Sequence, residues 1–218
     1  MFIFLMLTGL ICTYVSSHPI VLMHGILSNH NELLAARDWF SSHTASPVHA
    51  IEIGNGILDS LRPMSWQVQQ LCATIKAYPE LAEGFHFVGI SQGGLLGRCY
   101  VEYCTDGPPV YTLLTMGTPH AGVFLLPSFP KIYSEFHQST LSYAGYWKDP
   151  YQYDNYLQNS TFLPALNGEH KYIPKRLLML KNLVLVWSEG DNVITPVSLN
   201  FTNPVLWRSC LSTNHHNI

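Results

Sequence analysis

Apolar and polar positions along this chain follow two alternating periods. "PIVLMHG" at 19–25 is an apolar run of strand length closed by glycine, and "PVHAIEIG" at 47–54 is a second with partial alternation. From Met64 the period changes: Met64, Val68, Leu71, Cys72, Ile75, Tyr78 and Leu81 recur at helical spacing until Gly84. "FHFVGI" at 85–90 is strand-like again, Leu95, Leu96, Cys99 and Tyr103 then recur at helical spacing, and "VYTLLTMG" at 110–117 returns to strand. Strands that alternate with helices predict a doubly wound α/β architecture, a mostly parallel sheet flanked by helices.

Between Ala121 and Leu177 the alternation stops. That segment is rich in Tyr, Pro and Phe, with "YAGYWKDPYQYDNYL" at its centre, and reads as a cap-like insertion over 121–177 that either packs on the sheet or helps to wall a pocket. "LVLVW" at 183–187 resumes the strands, and "SEGDNVITP" leaves its end. A chain of 218 residues without internal repeat or linker suits one domain. Its first seventeen residues, "MFIFLMLTGLICTYVSS", form an apolar run with Val15 and Ser17 at the minus-three and minus-one positions of a signal-peptidase site. The mature domain is thus expected over 18–218, with no membrane span after cleavage.

Composition narrows the function. With 47% hydrophobic residues, 11% charged residues and a net charge of -3, the chain offers no basic surface for nucleic acid. Full protonation of its 11 histidines would carry that charge from -3 to at most +8, which suits an acidic compartment. The sequons at Asn159 and Asn200 fit a secretory route. Four cysteines remain after signal removal and allow three full pairings; Cys72 falls in the helical pattern before the serine motif, Cys104 ends the one after it, and they are the pair favoured here.

The candidate chemistry centres on "GISQG" at 89–93. A serine in G-x-S-x-G between a strand and a helix stands on a strained turn that lifts its hydroxyl out of the sheet, so Ser91 reads as a nucleophile rather than a plain turn residue. Attack on a carbonyl needs donors for the developing oxyanion. The Gln92 N–H is one, and Ile26 in "LMHGIL" is the other, with Gly25 permitting close approach and His24 orienting or packing. Asp191 at the end of "LVLVWSEGD" is the best-placed acid, with Glu189 its near competitor. In the order Ser, Asp, His, only His215 and His216 follow Asp191, and neither follows a strand; His120 precedes the acid and reads as a wall or structural histidine.

These stretches, together with "SLRPMSWQVQQLC", "YWKDPYQYDNYLQNSTFLPALNGE" and "DNVITP", resemble the palmitoyl-protein thioesterase family, in a form nearer its lysosomal thioesterase branch. The resemblance spans roughly 19 to 201. It implies an α/β-hydrolase fold with the nucleophile at Ser91, the acid at Asp191, oxyanion donors at Ile26 and Gln92, and a disulfide between Cys72 and Cys104. It also implies a lysosomal serine hydrolase of long-chain fatty acyl thioesters such as palmitoyl-CoA or S-acylated proteins, needing neither cofactor nor metal. A lipase or carboxylesterase, or a secreted protein, are the alternatives. After Phe201 the resemblance stops, so the C-terminal end is expected to be incomplete, 202–218 to be a divergent tail, and the base to be missing. An inactive form that only binds acyl chains would follow from that.

Overall fold

In a computed structural model the described residues are 17–125, 129, 131–169, 176–191 and 193–194. The signal segment up to Ser16, the tail 202–218, Asn200, His215 and His216 lie outside them. Five strands, β1 Ile20–Met23, β2 Val48–Ile51, β3 Phe85–Ile90, β4 Val110–Met116 and β5 Asn182–Val186, form one sheet in the order β2-β1-β3-β4-β5. Every pairing is parallel, as the strand–helix alternation predicts.

Helices cover both faces because strand residues alternate between them. Val21, Met23, Phe85, Phe87 and Leu113 face the helices α2 (Met64–Lys76) and α3 (Gln92–Tyr103). Ile20, Leu22 and Val88 point the other way, against Leu33 and against Ala36 and Phe40 of α1 (Leu34–His43). That second face is less covered over β5, where Val184 is 39% exposed and Val186 45% exposed.

Two local expectations shift. α2 ends at Lys76 rather than running to Gly84, because Pro79 cannot donate a backbone hydrogen bond and a 3-10 turn over Pro79–Leu81 takes over. On α3 the inward aromatic is Tyr100, 2% exposed, while Tyr103 is 42% exposed. α3 is nevertheless buried from Gln92 to Glu102, more than one apolar stripe requires. The cause lies in the tyrosine-rich segment, which folds into the short helices α4 (Glu135–Thr140), α5 (Ser142–Gly145), α6 (Tyr153–Asn159) and α7 (Leu163–Leu166). Their Ala144, Tyr156, Leu163 and Leu166 join the same core as α3.

Arg98 ties the two together. Its buried guanidinium donates to the Asn167 side chain at 2.9 Å, to the Leu166 carbonyl at 2.9 Å and to the His120 carbonyl at 3.2 Å. Cys72 of α2 and Cys104 just after α3 are disulfide-bonded, their Cα atoms 5.8 Å apart. Closing that loop of 32 residues limits the unfolded chain by about 3–4 kcal/mol in the chain-entropy picture. Cys99 remains a free, buried thiol whose pKa burial pushes up.

Candidate active site

The strand order changes direction between β1 and β3: the connection from β1 leads to β2 on one side, and the chain then passes from β3 to β4 on the other. The crevice above the carboxyl ends of such neighbours is where open α/β sheets bind ligands. Ser91 stands there, directly after β3, with φ 53° and ψ -124°. Leu27, at φ 54°, is the only other non-glycine with positive φ among the described residues, and it lies in the loop after β1. Strained non-glycine residues of this kind cluster at functional sites.

Glycines make this turn possible. A Cβ on Gly89 would fall 2.4 Å from the Gly94 Cα, and one on Gly93 would fall 2.3 Å from the His24 carbonyl oxygen. Any side chain at either position would push α3 off the strand ends. Gly25 comes near the serine but less tightly, since its Cβ would sit 3.1 Å from the Ser91 Cβ and 3.6 Å from Oγ. The Ser91 carbonyl accepts from the Thr118 hydroxyl at 3.0 Å, and its N–H donates to the Met116 carbonyl at 2.8 Å, which fixes the turn from the β4 side.

The N–H groups of Ile26 and Gln92 have no acceptor among the described residues. Gln92 opens α3, so its N–H belongs to the helix turn that has no partner of its own. The Gln92 side chain is buried in a hydrogen-bonded network: its amide donates to the Ser60 carbonyl at 2.8 Å and to Gln67 Oε1 at 3.0 Å, and its Oε1 accepts from the Tyr146 hydroxyl at 2.9 Å. Ser60 Oγ in turn accepts the Leu27 N–H at 2.8 Å. Both strands of donors flanking Ser91 are therefore held by one polar cluster.

Asp191 follows β5. Its Oδ1 accepts the N–H groups of Val193 and Ile194 at 2.9 and 3.0 Å, while Oδ2 lies 3.6 Å from where a Cβ on Gly117 would sit. Gly117 directly follows β4, and Ile90, Met116 and Val186 are in register across the three strands, so Ser91 and Asp191 share one edge of the sheet with β4 between them. Glu189 makes no hydrogen bond among the described residues. No described histidine ring is bonded to Ser91. His120, a partly exposed residue, uses Nε2 on the Thr115 hydroxyl at 3.0 Å, and burial with the Arg98 charge nearby pushes its pKa down to about 3. Its ring is bonded to Thr115 and not to Ser91.

Sequence reasoning did not single out Ser60, Gln67, Tyr146, Thr118 or Glu52. Glu52 was the most legible, because "AIEIG" sets a carboxylate between isoleucines of a buried run. Its Oε1 accepts from Nε2 of the buried His24 at 3.0 Å, and its Oε2 accepts from the His30 N–H and Nδ1, both at 2.9 Å. The glycosylation candidate Asn159 is exposed at the end of α6.

The sequence profile described as palmitoyl protein thioesterase matches residues 19–203. The chain belongs to the palmitoyl protein thioesterase family. Members similar to it include palmitoyl-protein thioesterase 3 of Dictyostelium discoideum, 32% identical over 83% of this chain and 68% of that protein. The lysosomal thioesterase PPT2 homolog of Drosophila melanogaster is 33% identical over 82% of this chain and 68% of its own length. The resemblance read from the motifs is thus borne out, and the thioesterase family makes this chain a thioester hydrolase by descent.

Solved structures extend the likeness to fold alone. A Bacillus licheniformis lipase in its propeptide form superposes with TM-score 0.53 at 17% identity, over 78% of this chain and 36% of that one. An extracellular α/β-hydrolase from a Paenibacillus species gives TM-score 0.53 at 12% identity, over 86% and 84% of the two chains. The palmitoyl protein thioesterase chain has the α/β-hydrolase fold.

Proposed function

We propose that this thioesterase cleaves long-chain fatty acyl thioesters through an acyl-enzyme on Ser91. The observation that carries the reading is the strained Ser91 turn close to Gly25, with the N–H groups of Ile26 and Gln92 on either side having no acceptor among the described residues. Ser91 Oγ attacks the carbonyl carbon and its proton passes to an imidazole base. The oxyanion of the tetrahedral intermediate is held by the Ile26 and Gln92 N–H groups. Collapse breaks the carbon–sulfur bond, and the departing thiolate takes the proton from the imidazolium. Water then attacks the ester by the same route, releasing fatty acid and restoring Ser91. Asp191 orients the base and stabilises its charged form.

The only histidines that follow Asp191 in the order this fold uses are His215 and His216, and both lie outside the described residues. The names of relatives called lysosomal thioesterase, together with the exposed sequon at Asn159, support a lysosomal location. Residues 121–177 act as the cap, since their described part covers α3 and reaches Gln92 through Tyr146. Labelling with a fluorophosphonate, followed by peptide mapping, tests the nucleophile: modification is expected at Ser91 and nowhere in a Ser91→Ala variant. Labelling that survives the substitution overturns the assignment. Faster hydrolysis of p-nitrophenyl palmitate than of palmitoyl-CoA would move the substrate class to oxygen esters.

A further inference from the structure

Both ring nitrogens of His24 face acceptors. Nδ1 lies 2.8 Å from the Gly25 carbonyl oxygen and Nε2 lies 3.0 Å from Glu52 Oε1. The Glu52 carboxylate in turn meets three nitrogens with its two oxygens: His24 Nε2 on Oε1, and the His30 N–H and Nδ1 on Oε2. Among the described residues no other charged side chain is bonded to this carboxylate.

The place of this group gives it a task. His24 follows β1, Glu52 follows β2, and His30 opens the 3-10 turn at the far end of the loop that contains Gly25, Ile26 and Leu27. One carboxylate therefore holds both ends of that loop, and His24 passes the restraint to Gly25, where even a Cβ would come 3.1 Å from the Ser91 Cβ. Burial alone would raise the Glu52 pKa, but the hydrogen bonds from His30 and the interactions with His24 outweigh it and leave the carboxyl below its usual value.

We infer that Glu52 is a positioning residue for the oxyanion loop, acting through the His24 ring held between Glu52 and the Gly25 carbonyl. The inference rests on the proposed oxyanion role of Ile26. A loop set loose at this point would misplace the donor by fractions of an ångström, which weakens stabilisation of the oxyanion and leaves binding of the acyl chain unaffected.

Two measurements on the full 218-residue chain test it. Long-range proton–nitrogen correlation of histidine-labelled protein should show the His24 ring-nitrogen signals displaced by Glu52→Gln, because the Nε2 contact is lost. Unchanged His24 signals in E52Q overturn the clamp. The second measurement is the saturation kinetics of Ser91 modification by a fluorophosphonate: E52Q should lower the limiting rate at least tenfold with half-saturation unchanged, and Glu52→Asp should recover most of the loss. An unaltered limiting rate, or a loss carried wholly by half-saturation, overturns the positioning role. If E52Q does not fold, His24→Asn carries the same kinetic test. Absence of any labelling in the unsubstituted protein would defeat the nucleophile assignment, and the ring-nitrogen signals would still decide the clamp.

Discussion

The Tyr146 hydroxyl donates to Gln92 Oε1 at 2.9 Å, joining the tyrosine-rich segment to the residue that follows Ser91. Gln92 is 1% exposed and its amide already serves Ser60 and Gln67, so this acceptor has no solvent to fall back on. Removing the hydroxyl by Tyr146→Phe leaves a buried carbonyl oxygen without that donor, which costs about 1–2 kcal/mol. Urea denaturation should show a lower midpoint at unchanged slope. A midpoint equal to that of the unsubstituted protein would mean that Gln92 is satisfied by other means.

Strain at Ser91 predicts a separation of stability from chemistry. Alanine at this position keeps the Cβ and hence the penalty of φ 53°, whereas glycine adopts that backbone freely. Ser91→Ala and Ser91→Gly should both lose covalent labelling. The glycine variant should be the more stable of the two by about 1 kcal/mol, the strain relieved less the entropy that glycine adds to the unfolded chain. Thermal unfolding of the pair decides this, and an alanine variant more stable than the glycine variant would show that the turn stores no strain.

The parts of this site that the sequence disclosed were those carried by local pattern. Apolar runs of strand length at 19–25, 47–54, 85–90, 110–117 and 183–187 became the five strands, and the glycines around Ser91 signalled the tight strand-to-helix junction. Ser60, Gln67, Gln92 and Tyr146 meet only after four separate segments have packed. Each is an ordinary polar residue in its own neighbourhood, and the separation of 54 residues between Gln92 and Tyr146 leaves no periodic trace. The inward side of α3 was misread at Tyr103 for a related reason. Burial all around that helix depends on a segment which packs over it from about 70 residues away, as the Arg98 bond to Asn167 shows at a separation of 69.

Asp191→Asn tests the acid. The substitution keeps an oxygen to accept the N–H groups of Val193 and Ile194, so the loop should hold its shape while the charge is lost. Steady-state hydrolysis of palmitoyl-CoA should then fall by about three to four orders of magnitude, the cost known for removing the carboxylate of a serine triad. Circular dichroism should be unchanged. Near-normal turnover in D191N would transfer the role to Glu189.

Histidine protonation should weaken this fold as pH falls below neutral, and His120 is the main reason. Glu102, whose carboxyl is raised by burial, acts in the opposite direction. Burial, with the Arg98 charge close by, holds the His120 pKa at about 3, whereas the unfolded chain takes up that proton near the ordinary histidine value of 6.5. Between those limits the unfolded state binds more protons, so stability rises with pH there. The contribution of His120 is complete above pH 6.5 and is lost as pH falls toward 3, with a slope of at most about 1.4 kcal/mol per pH unit. His86, lowered by burial and by His18 and Lys181, acts in the same direction. Glu52 adds its own loss only at lower pH, because a carboxyl held below 4.5 destabilises the fold as it gains its proton. Denaturation midpoints should therefore decline from pH 7 to pH 4.5. His120→Asn keeps a polar partner for Thr115 and removes the titrating group, so the decline should become shallower. An equal slope in both proteins would show that His120 takes up its proton in the folded state as readily as in the unfolded one.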